Sequence, residues 1–314
     1  MLAFVARRLV ATVPVLVLVS LGVFLLIHLV PGDPVDVMLG ESQDPVAREA
    51  LRKELGFDQP VYLQYVNWLG HVVQGDLGRS IRTHQTVVDN VAQRLRPSLE
   101  LAVGAMLIAL IIAIPLGILT ATHRNSRVDT LGTGFVLFGV CMPNFVLALL
   151  LIFVFGVSLH WLPIASYTDP LQDPLAGLKA LLLPSLTLGM ALAAVIARTL
   201  RSSLLETLTE DYVKTARAKG LEESAVIAKH VLKNALIPVV TVIGLQFGTL
   251  IGGAVITEYI FALPGVGRLV VDAVFARDYP LVQGVVLVIT VGFIASNLVV
   301  DIVYGWLDPR IRYT

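Results

Sequence analysis

A basic, glycine-centred stretch is the first part of this sequence whose residue types indicate a chemical task. It reads DYVKTARAKGLEESAVIAKH over residues 211–230, and Lys214, Arg217 and Lys219 come shortly before Gly220. The stretch is also amphipathic, since its apolar residues are just enough for one helical stripe. Because glycine commonly ends a helix, we predict two short helices that meet at Gly220, with Lys229 adding charge to the second.

Two kinds of surface could receive this pair of helices. An apolar stripe on the second helix is typical of a helix that lies on a membrane, whereas small residues around Gly220 would let another protein approach closely. The small residues favour docking to a protein. Thr207 and Glu210, three residues apart, predict a capping box at the start of the first helix. The predicted stripe consists of Val226, Ile227, Val231 and Leu232, and the first helix presents Val213, Ala216 and Gly220 on one side.

Motifs for catalysis and metal binding are missing from the sequence. It contains no GxxxxGK[ST] phosphate loop, no HExxH and no GxSxG, so we expect neither ATP hydrolysis nor any other reaction by this chain. His28, His160 and Cys141 are not spaced as a ligand set, so we expect no metal site. The formal net charge of 0 gives no support to nucleic-acid binding. One cysteine cannot form an intrachain disulfide.

Composition predicts that the basic stretch is held by membrane-spanning helices. Of the 314 residues 56% are hydrophobic and 15% are charged, and the mean hydropathy is +0.81. A helix needs roughly 20 apolar residues to cross a bilayer, and continuous runs exclude the short alternating strands of a membrane barrel. We therefore predict an all-α polytopic membrane protein with six transmembrane helices. They cover about residues 9–30, 99–121, 131–158, 182–200, 236–257 and 281–303.

Basic residues predict which side of the membrane each loop faces. Lysine and arginine collect in short cytoplasmic loops, and here they concentrate at both chain ends and in the loops at 122–130 and 201–235. Both termini and the opening stretch are therefore predicted to be cytoplasmic. The first apolar run follows Arg7 and Arg8, is longer than a signal-peptide core and precedes PGDP, so we interpret it as a retained helix rather than a cleaved signal.

The external segments are predicted to form short helices that rest on the membrane or on neighbouring spans, and they could receive an external partner. In 31–98, Asp44 and Pro45 should start one helix that stops at Gly56, and Pro60 should start another that ends at Gly75, with Tyr62, Tyr65, Trp68, Leu69 and Val72 on one face. Thr86 and Asp89 resemble a third helix start. In 259–280, a turn at Pro264 should precede a stripe of Leu269, Val270, Ala273 and Val274.

A few residues within the spans are candidates for packing or for lining a pathway. Gly244, Gly248 and Gly252 recur every four residues, which permits close approach of another helix of this chain or of a second subunit. Pro143 should kink the third span. Polar side chains in lipid are costly, so Asn144, Gln246 and Asn297 are pathway candidates, with helix capping or packing as the alternative. Asp301 is predicted at a helix end and Glu258 in solvent.

The order of motifs along the chain resembles one family. DYVKTARAKGL followed by VLKNALIPVVT is similar to the cytoplasmic EAA loop of bacterial ABC importer permeases, although Lys214 stands where that loop has an acidic residue. The wider frame resembles the peptide/nickel permease branch, in which this departure is usual. It includes ARRL and LVPGDP near the N-terminus, GDLGRS at 75–80, PSLELA at 97–102, PLG at 115–117, MPNF at 142–145, LPSLTLG at 183–189, LPGVGRLVVDAV at 263–274, RDYPLVQG at 277–284 and DPRIRY at 308–313.

The resemblance implies a type I ABC importer permease in a bacterial inner membrane. Such a chain forms a translocation path with a second homologous permease, couples to two cytosolic ATPases that bind ATP and Mg²⁺, and receives cargo from an external solute-binding protein. The permease core would be 99–306, after a first helix in 1–30 and the external segment 31–98, and before a tail at 307–314. The implied coupling residues are Tyr212, Val213, Thr215, Ala216, Arg217, Ala218, Lys219 and Gly220.

Cargo and function class keep their alternatives at this stage. Relatives of this branch carry short peptides, nickel chelates or glutathione. We expect di- or oligopeptides rather than nickel, since no metal-ligand cluster is evident in the sequence. A stand-alone secondary carrier or channel is the alternative of a different class, and it would move solute without ATPase subunits. A membrane scaffold or intramembrane enzyme is disfavoured because the sequence lacks any catalytic set.

Overall fold

The computed structural model describes residues 2–29, 35, 45–54 and 56–307, and in these residues the fold is helical, without strands. Five helices are long and apolar enough to cross a membrane, and a sharply bent pair brings the number to 6 when it counts as one span. The predicted all-α membrane architecture is confirmed. The long helices are α1 (Leu2–Leu29), α4 (Val87–Thr122), the pair α5 (Arg127–Cys141) and α6 (Asn144–Leu151), α7 (Pro174–Thr207), α10 (Leu232–Gly253) and α13 (Tyr279–Leu307).

Short helices connect these spans. Asp44, the PGDP stretch, and Arg310 and Arg312 of the tail lie outside the described residues, so the predictions made for them stay predictions. π-Helical turns extend α6 over Ile152–Ser158 and join the brief α9 to α10 over Val226–Val231. The short helices are α2 (Pro45–Glu54), α3 (Val61–Val73), α8 (Asp211–Ala218), α9 (Glu223–Ala225), α11 (Val255–Ile260) and α12 (Val266–Phe275).

The third span is broken rather than kinked at Pro143. The two halves, α5 and α6, meet at 103°. Met142 and Pro143 both have extended backbone, with ψ of 121° and 135°. A proline lacks the N–H that would continue the helical ladder, and it also pushes the preceding residue out of the helical region. The helix therefore ends before Pro143 and restarts at Asn144, which corrects the predicted continuous helix over 131–158.

Helix α4 joins two elements that the sequence predicts as separate. Thr86 caps it as expected, because its Oγ1 accepts the backbone N–H of Asp89 at 3.1 Å. The helix then continues for 36 residues through Pro97 and Pro115 without a break. Buried Val87 and Val91 pack against later parts of the chain, and this packing holds the first turns in line with the span. The predicted boundary at 98/99 therefore falls inside one helix.

Small residues allow the long helices to pack closely around α7. A Cβ at Gly117 would lie 2.9 Å from the Leu200 side chain, and one at Gly189 would lie 2.9 Å from the carbonyl oxygen of Ala105. In lipid, where the hydrophobic effect does not drive helices together, such close contact supplies the association energy. The buried core that results runs along α4, α7 and α10 and reaches the turns that follow α7 through Val213, Val226 and Val231.

The predicted glycine stripe of α10 faces α13. A Cβ added to Gly244 would overlap the side chain of Val300, and one at Gly248 would lie 3.2 Å from Phe293. Gly252 belongs to the same helix, but its surroundings lie outside the described part of the structure. At Gly244 and Gly248, the close approach is therefore made by another helix of the same chain.

The short helices that were predicted to be external follow the sequence signals in most respects. α2 begins at Pro45, α3 follows Pro60, and Gly56 and Gly75 end them with φ of +72° and +86°. Tyr65 and Trp68 stack near Phe24 of α1 at centroid distances of 5.4 and 5.7 Å. Tyr62 is 67% exposed, so α1 covers only part of the predicted face of α3.

A second, smaller core lies apart from the main one. It brings the start of α4 together with α12 and the start of α13. Val274 of α12 is 55% exposed, so this core covers only part of the predicted apolar stripe. We call this region, residues 77–98 and 258–288, the external cap, after the side of the membrane that the sequence predicts for it. Its buried apolar side chains are Val87, Val91, Val266, Leu269, Ala273, Leu281 and Val285.

Candidate coupling surface

The basic stretch forms a short helix set across the end of α7. Helix α8 spans Asp211–Ala218, and Glu210 is its N-cap residue without a side-chain cap. The predicted capping box of Thr207 and Glu210 is therefore wrong. Thr207 is instead the last residue of α7, and its hydroxyl donates to the carbonyl of Ser203 at 2.7 Å, because α7 runs about two turns beyond the predicted end at residue 200.

The eight predicted coupling residues divide into two anchors and an exposed face. Val213 and Ala216 are 0% and 6% exposed and belong to the main core, together with Val226 and Val231. This spacing of three is one helical face. The buried pair fixes α8 to the following π-helical turns and leaves its other sides free. The exposed residues of the predicted set are Tyr212, Thr215, Arg217, Ala218, Lys219 and Gly220.

Polar contacts strengthen the attachment of α8 to the helix that follows it. The side-chain amide nitrogen Nδ2 of Asn234, in α10, donates to the Tyr212 hydroxyl at 2.7 Å. Arg217 donates to both carboxylate oxygens of Glu223, at 3.0 and 2.6 Å, and this hydrogen bonding raises the pKa of Arg217. Bidentate guanidinium–carboxylate pairs are geometrically specific. We call α8 together with the turns up to Val231 the elbow, and these contacts make it one unit with α10.

Gly220 is required by backbone conformation rather than by crowding. Its φ is +77°, and no atom lies within 4 Å of a Cβ added there. Residues other than glycine are strained in this left-handed region. The backbone N–H of Gly220 bonds to the carbonyl of Arg217 at 2.9 Å and closes the end of α8. The predicted helix stop is confirmed, and it leaves open space beside the glycine.

An ion pair close to the elbow joins two spans. Arg201 of α7 donates to both oxygens of Asp129, each at 2.9 Å. Asp129 also accepts the backbone N–H of Asn125 at 3.0 Å and is 7% exposed. Buried charges in proteins are paired in this way because an unpaired one is very costly. The loop between α4 and α5 is therefore bound to the end of α7 that leads into the elbow.

Buried carboxylates in the external cap were missed by the sequence interpretation. Glu258 is 1% exposed, so its predicted place in solvent is wrong. Its Oε1 accepts the Ser98 hydroxyl at 2.6 Å, and its Oε2 accepts the backbone N–H of Arg268 at 2.8 Å. Burial raises the pKa of this carboxyl, against the opposing effect of these donors. A carboxylate in a long apolar stretch was the available signal, but nothing local to it identifies Ser98 as a partner.

A second buried carboxylate repeats this arrangement at the other end of α12. Asp278 is 1% exposed, and its Oδ2 accepts the hydroxyl of Ser80 at 2.5 Å. Its Oδ1 accepts the backbone N–H groups of Ile81 at 3.2 Å and Leu281 at 3.3 Å. Asp278 therefore caps the start of α13 while holding the GDLGRS stretch.

Comparison with known protein families shows which family the chain belongs to. Residues 113–313 match the family described as binding-protein-dependent transport system inner membrane component. Residues 1–102 match the N-terminal region of the membrane component of the same systems. The chain belongs to this family of ABC importer permeases. It is thus a multi-pass inner-membrane transport subunit, and the family assembles with other ABC subunits.

Curated relatives align with the permease along its entire length. It is 45% identical over 313 residues to the glutathione transport system permease protein GsiC of Escherichia coli K12, covering 100% of both chains. The protein of the same name from Salmonella typhimurium LT2 is 44% identical over 313 residues, again covering 100% of both. These alignments support the motif resemblance in the sequence.

Solved structures support the fold of the permease. A chain from a crystal form of the MetNI methionine ABC transporter, titled inward facing, matches with a TM-score of 0.59 at 17% identity. The match covers 70% of the permease and 96% of that chain. A native crystal form of the same transporter gives a TM-score of 0.57 at 18% identity, with 69% and 96% covered. At these identities, the likeness shows the type I importer permease fold.

The three pathway candidates lie on three different helices of the permease. Asn144 is exposed at the start of α6, beside the break in the third span, and Gln246 is half-buried in α10. Asn297 lines a cavity of about 460 Å³ between α1 and α13, and its side-chain oxygen is buried without a hydrogen-bond partner among the described residues. That cavity is lined by neither Asn144 nor Gln246. A role in solute passage stays a prediction for each.

Proposed function

We propose that the permease imports a small peptide by coupling to separate ATPase subunits through the elbow. The observation that carries this proposal is the division of α8 into buried anchors and an exposed face with Arg217 and Lys219. Such a face suits an acidic groove on a cytosolic partner. Two ATPases would bind ATP and Mg²⁺, a second homologous permease would complete the path, and an external binding protein would deliver cargo.

The attachment of the elbow supports a lever mechanism. Closure of the ATPases on ATP would displace α8, and the Tyr212–Asn234 and Arg217–Glu223 contacts would carry that displacement into α10. Chain continuity also supports this, since Glu223–Leu250 is one span-length helix. A ligand shifts a conformational equilibrium only when it binds the two states differently. The lever therefore requires ATPase contacts with α8 that differ between the inward-open and outward-open states.

This proposal includes an orientation for the chain. The elbow, both termini and the loop at 122–130 would lie in the cytoplasm, and the external cap would face the opposite side. The charge distribution supports this orientation, because lysine and arginine concentrate in those short segments. The ion pair between Arg201 and Asp129 then lies on the cytoplasmic side, close to the ATPases.

For the cargo, we propose glutathione or a closely similar short peptide. The relatives that align with the whole permease are named for glutathione transport. Glutathione is itself a tripeptide, so this narrows the expectation of di- or oligopeptides rather than replacing its chemical class. Selection would occur largely on the binding protein, since it meets the solute first.

Uptake measurements with the complete importer test the cargo. Vesicles containing the permease with its partner permease and ATPases, supplied with the binding protein, should accumulate labelled glutathione only with ATP inside. Competition by unlabelled dipeptides and by nickel alone separates the alternatives, and we expect glutathione to compete best. Accumulation by the permease alone, driven by an ion gradient, would instead identify a secondary carrier.

A charge reversal on the elbow tests the docking itself. Lys219→Glu should reduce recovery of the ATPases with the purified permease, because it places a carboxylate on the face that meets an acidic groove. Lys53→Glu is the matched control, since Lys53 is also an exposed lysine near a helix end but lies in external α2. Equal ATPase recovery with both variants would remove the support for elbow docking.

A further inference from the structure

The helical segment that continues from the elbow ends at a buried carboxylate in the external cap. The π-helical turns of the elbow run directly into α10, which ends at Gly253, and α11 starts again at Val255 after a break at Ala254. Glu258 lies one turn into α11. Any displacement of α10 along or about its axis therefore reaches Glu258 through one short connection.

Glu258 joins three helices at one point. Its carboxylate accepts the hydroxyl of Ser98 in α4 and the backbone N–H of Arg268 in the first turn of α12, at 2.6 and 2.8 Å. The Ser98 oxygen in turn accepts the backbone N–H of Val266 at 2.8 Å. Helix N-termini favour negative charge, so this carboxylate from α11 caps α12 from outside that helix.

The backbone of α12 is shaped to admit this carboxylate. A Cβ at Gly265 would overlap the Glu258 carboxylate, and one at Gly267 would lie 3.1 Å from its Oε2. The two glycines of the LPGVG motif therefore let the main chain approach the acid closely. Charged groups near it are Arg268, whose N–H it accepts, and Arg94 of α4, which acts on it electrostatically.

Asp278 provides an internal comparison within the same cap. It too is 1% exposed, accepts a buried serine hydroxyl and caps a helix, in this case α13. It differs in position, because it follows α12 and is not part of the segment that continues from α10. The two serine–carboxylate pairs thus share chemistry and burial but differ in their connection to the elbow.

We propose that Glu258 and Ser98 are positioning residues that transmit motion of α10 to the external cap. Displacement of the elbow by ATP would move Glu258, and Glu258 would carry the N-terminus of α12 and the adjoining turn of α4 with it. ATP binding inside would in this way change the external face on which cargo arrives. This inference rests on the proposed coupling of the elbow to ATPases and assigns the outer end of that lever.

Hydrogen exchange in the assembled transporter tests this assignment. The complete importer would be purified with and without Mg²⁺–ATP, and exchange would be followed at the amides of Val266 and Arg268, which the Ser98–Glu258 pair caps. We expect ATP to change their exchange by about tenfold, within the range of typical coupling between sites. The amide of Leu281, capped by Asp278, should change little. Equal exchange at Val266 and Arg268 with and without ATP would overturn the proposal.

Matched serine variants then separate transmission from general packing. Ser98→Ala and Ser80→Ala each delete one buried hydroxyl that donates to a buried carboxylate. Ser98→Ala should abolish the ATP response at Arg268, whereas Ser80→Ala should retain it, and Ser98→Thr should restore it by keeping a hydroxyl. A normal response in Ser98→Ala, or an equal loss in both alanine variants, would contradict the transmission role.

Recovery of the ATPases keeps this test separate from that of the elbow. All three serine variants leave α8 intact, so they should purify with as much ATPase as the unmodified permease does. Should the unmodified permease itself lack ATPases, the proposed function fails. Should the ATPases be present and the cap not respond, only the role of Glu258 and Ser98 fails.

Discussion

The elbow and the external cap use charged residues in opposite ways. On the elbow, Val213 and Ala216 are buried while lysine, arginine and acid side chains face outward. In the cap, the carboxylates of Glu258 and Asp278 are buried, and they are held by serine hydroxyls and backbone N–H groups. Exposed charge suits a surface that must bind and release a partner, whereas buried charge with several donors fixes the relative position of helices.

This difference between the two regions indicates where a substitution should affect assembly and where it should affect stability. Exposed ion pairs contribute little to folding because water and salt screen them. A buried acceptor that loses its donors, or donors that lose their acceptor, costs much more. Elbow variants should therefore uncouple the permease from its partners, and cap variants should destabilise it or alter how its helices move together.

The largest expected effect is at Gly220. Gly220→Asp should abolish recovery of the ATPases and ATP-driven uptake, because a bulky charge would fill the open space beside α8 and strain a φ of +77°. Membrane insertion should be unchanged. Gly75→Asp is the matched control, since Gly75 has a φ of +86° and equally open surroundings in the external segment. Uptake that survives Gly220→Asp would count against the elbow as the docking site.

Removal of a cap carboxylate should have the next largest effect. Asp278→Ala leaves the buried Ser80 hydroxyl and the Leu281 N–H without their acceptor, so we expect a loss of roughly 3 kcal/mol in the free energy of unfolding. Asp211→Ala on the elbow should leave thermal unfolding unchanged, because that side chain is 95% exposed. Unfolding in detergent measures both. Equal effects would break the contrast between the regions.

A substitution that tests the packing of α10 against α13 should give a smaller loss of stability. A methyl group at Gly244 would overlap Val300 of α13, so Gly244→Ala should cost about 1–3 kcal/mol through overpacking. Gly22→Ala in α1 is the control, because nothing lies within 4 Å of a Cβ there. If thermal unfolding shows equal stability for the two variants, α10 and α13 do not pack through this glycine.

The smallest expected effect is a pH dependence of stability that originates in the loop between α6 and α7. Burial, aided by the hydrogen bond that Tyr167 donates to Glu100, raises the pKa of this phenol to about 12. The folded chain therefore holds the proton that an unfolded tyrosine loses near pH 10, about its ordinary pKa.

Stability contributed by Tyr167 should consequently be complete below pH 10 and should fall as the pH rises toward 12. Absorbance titration should show one late-ionising phenol that Tyr167→Phe removes. Loss of a phenol that titrates near pH 10 in the variant, with the late-ionising one retained, would show that Tyr167 ionises normally.

Elements of the fold that depend on local residues were predictable. The six apolar runs, the Thr86 cap, the helix stops at Gly75 and Gly220 and the elbow itself all follow from neighbouring residue types. Backbone conformation and capping act over a few residues, so a single sequence contains the whole cause. The buried anchors Val213 and Ala216 likewise follow from helical spacing.

Features that depend on distant partners could not be obtained in this way. Glu258 and Ser98 are 160 residues apart, so Glu258 resembles a solvated helix end until the helices are packed. The apolar pattern predicts a separate span that begins near residue 99, yet packing of the external cap carries α4 through Pro97 without a break. Pro143 indicates a bend, but its angle of 103° depends on where α5 and α6 find neighbours.

Site-specific cross-linking tests the central claim most directly. Cys141 is the one cysteine in the chain, so Cys141→Ser provides a background in which Ala218→Cys offers a single thiol on the exposed face of α8. In the assembled importer we expect this thiol to cross-link to an ATPase subunit, with a yield that changes on addition of ATP. Labelling of the thiol from outside intact cells, or no ATPase cross-link at all, would contradict the account.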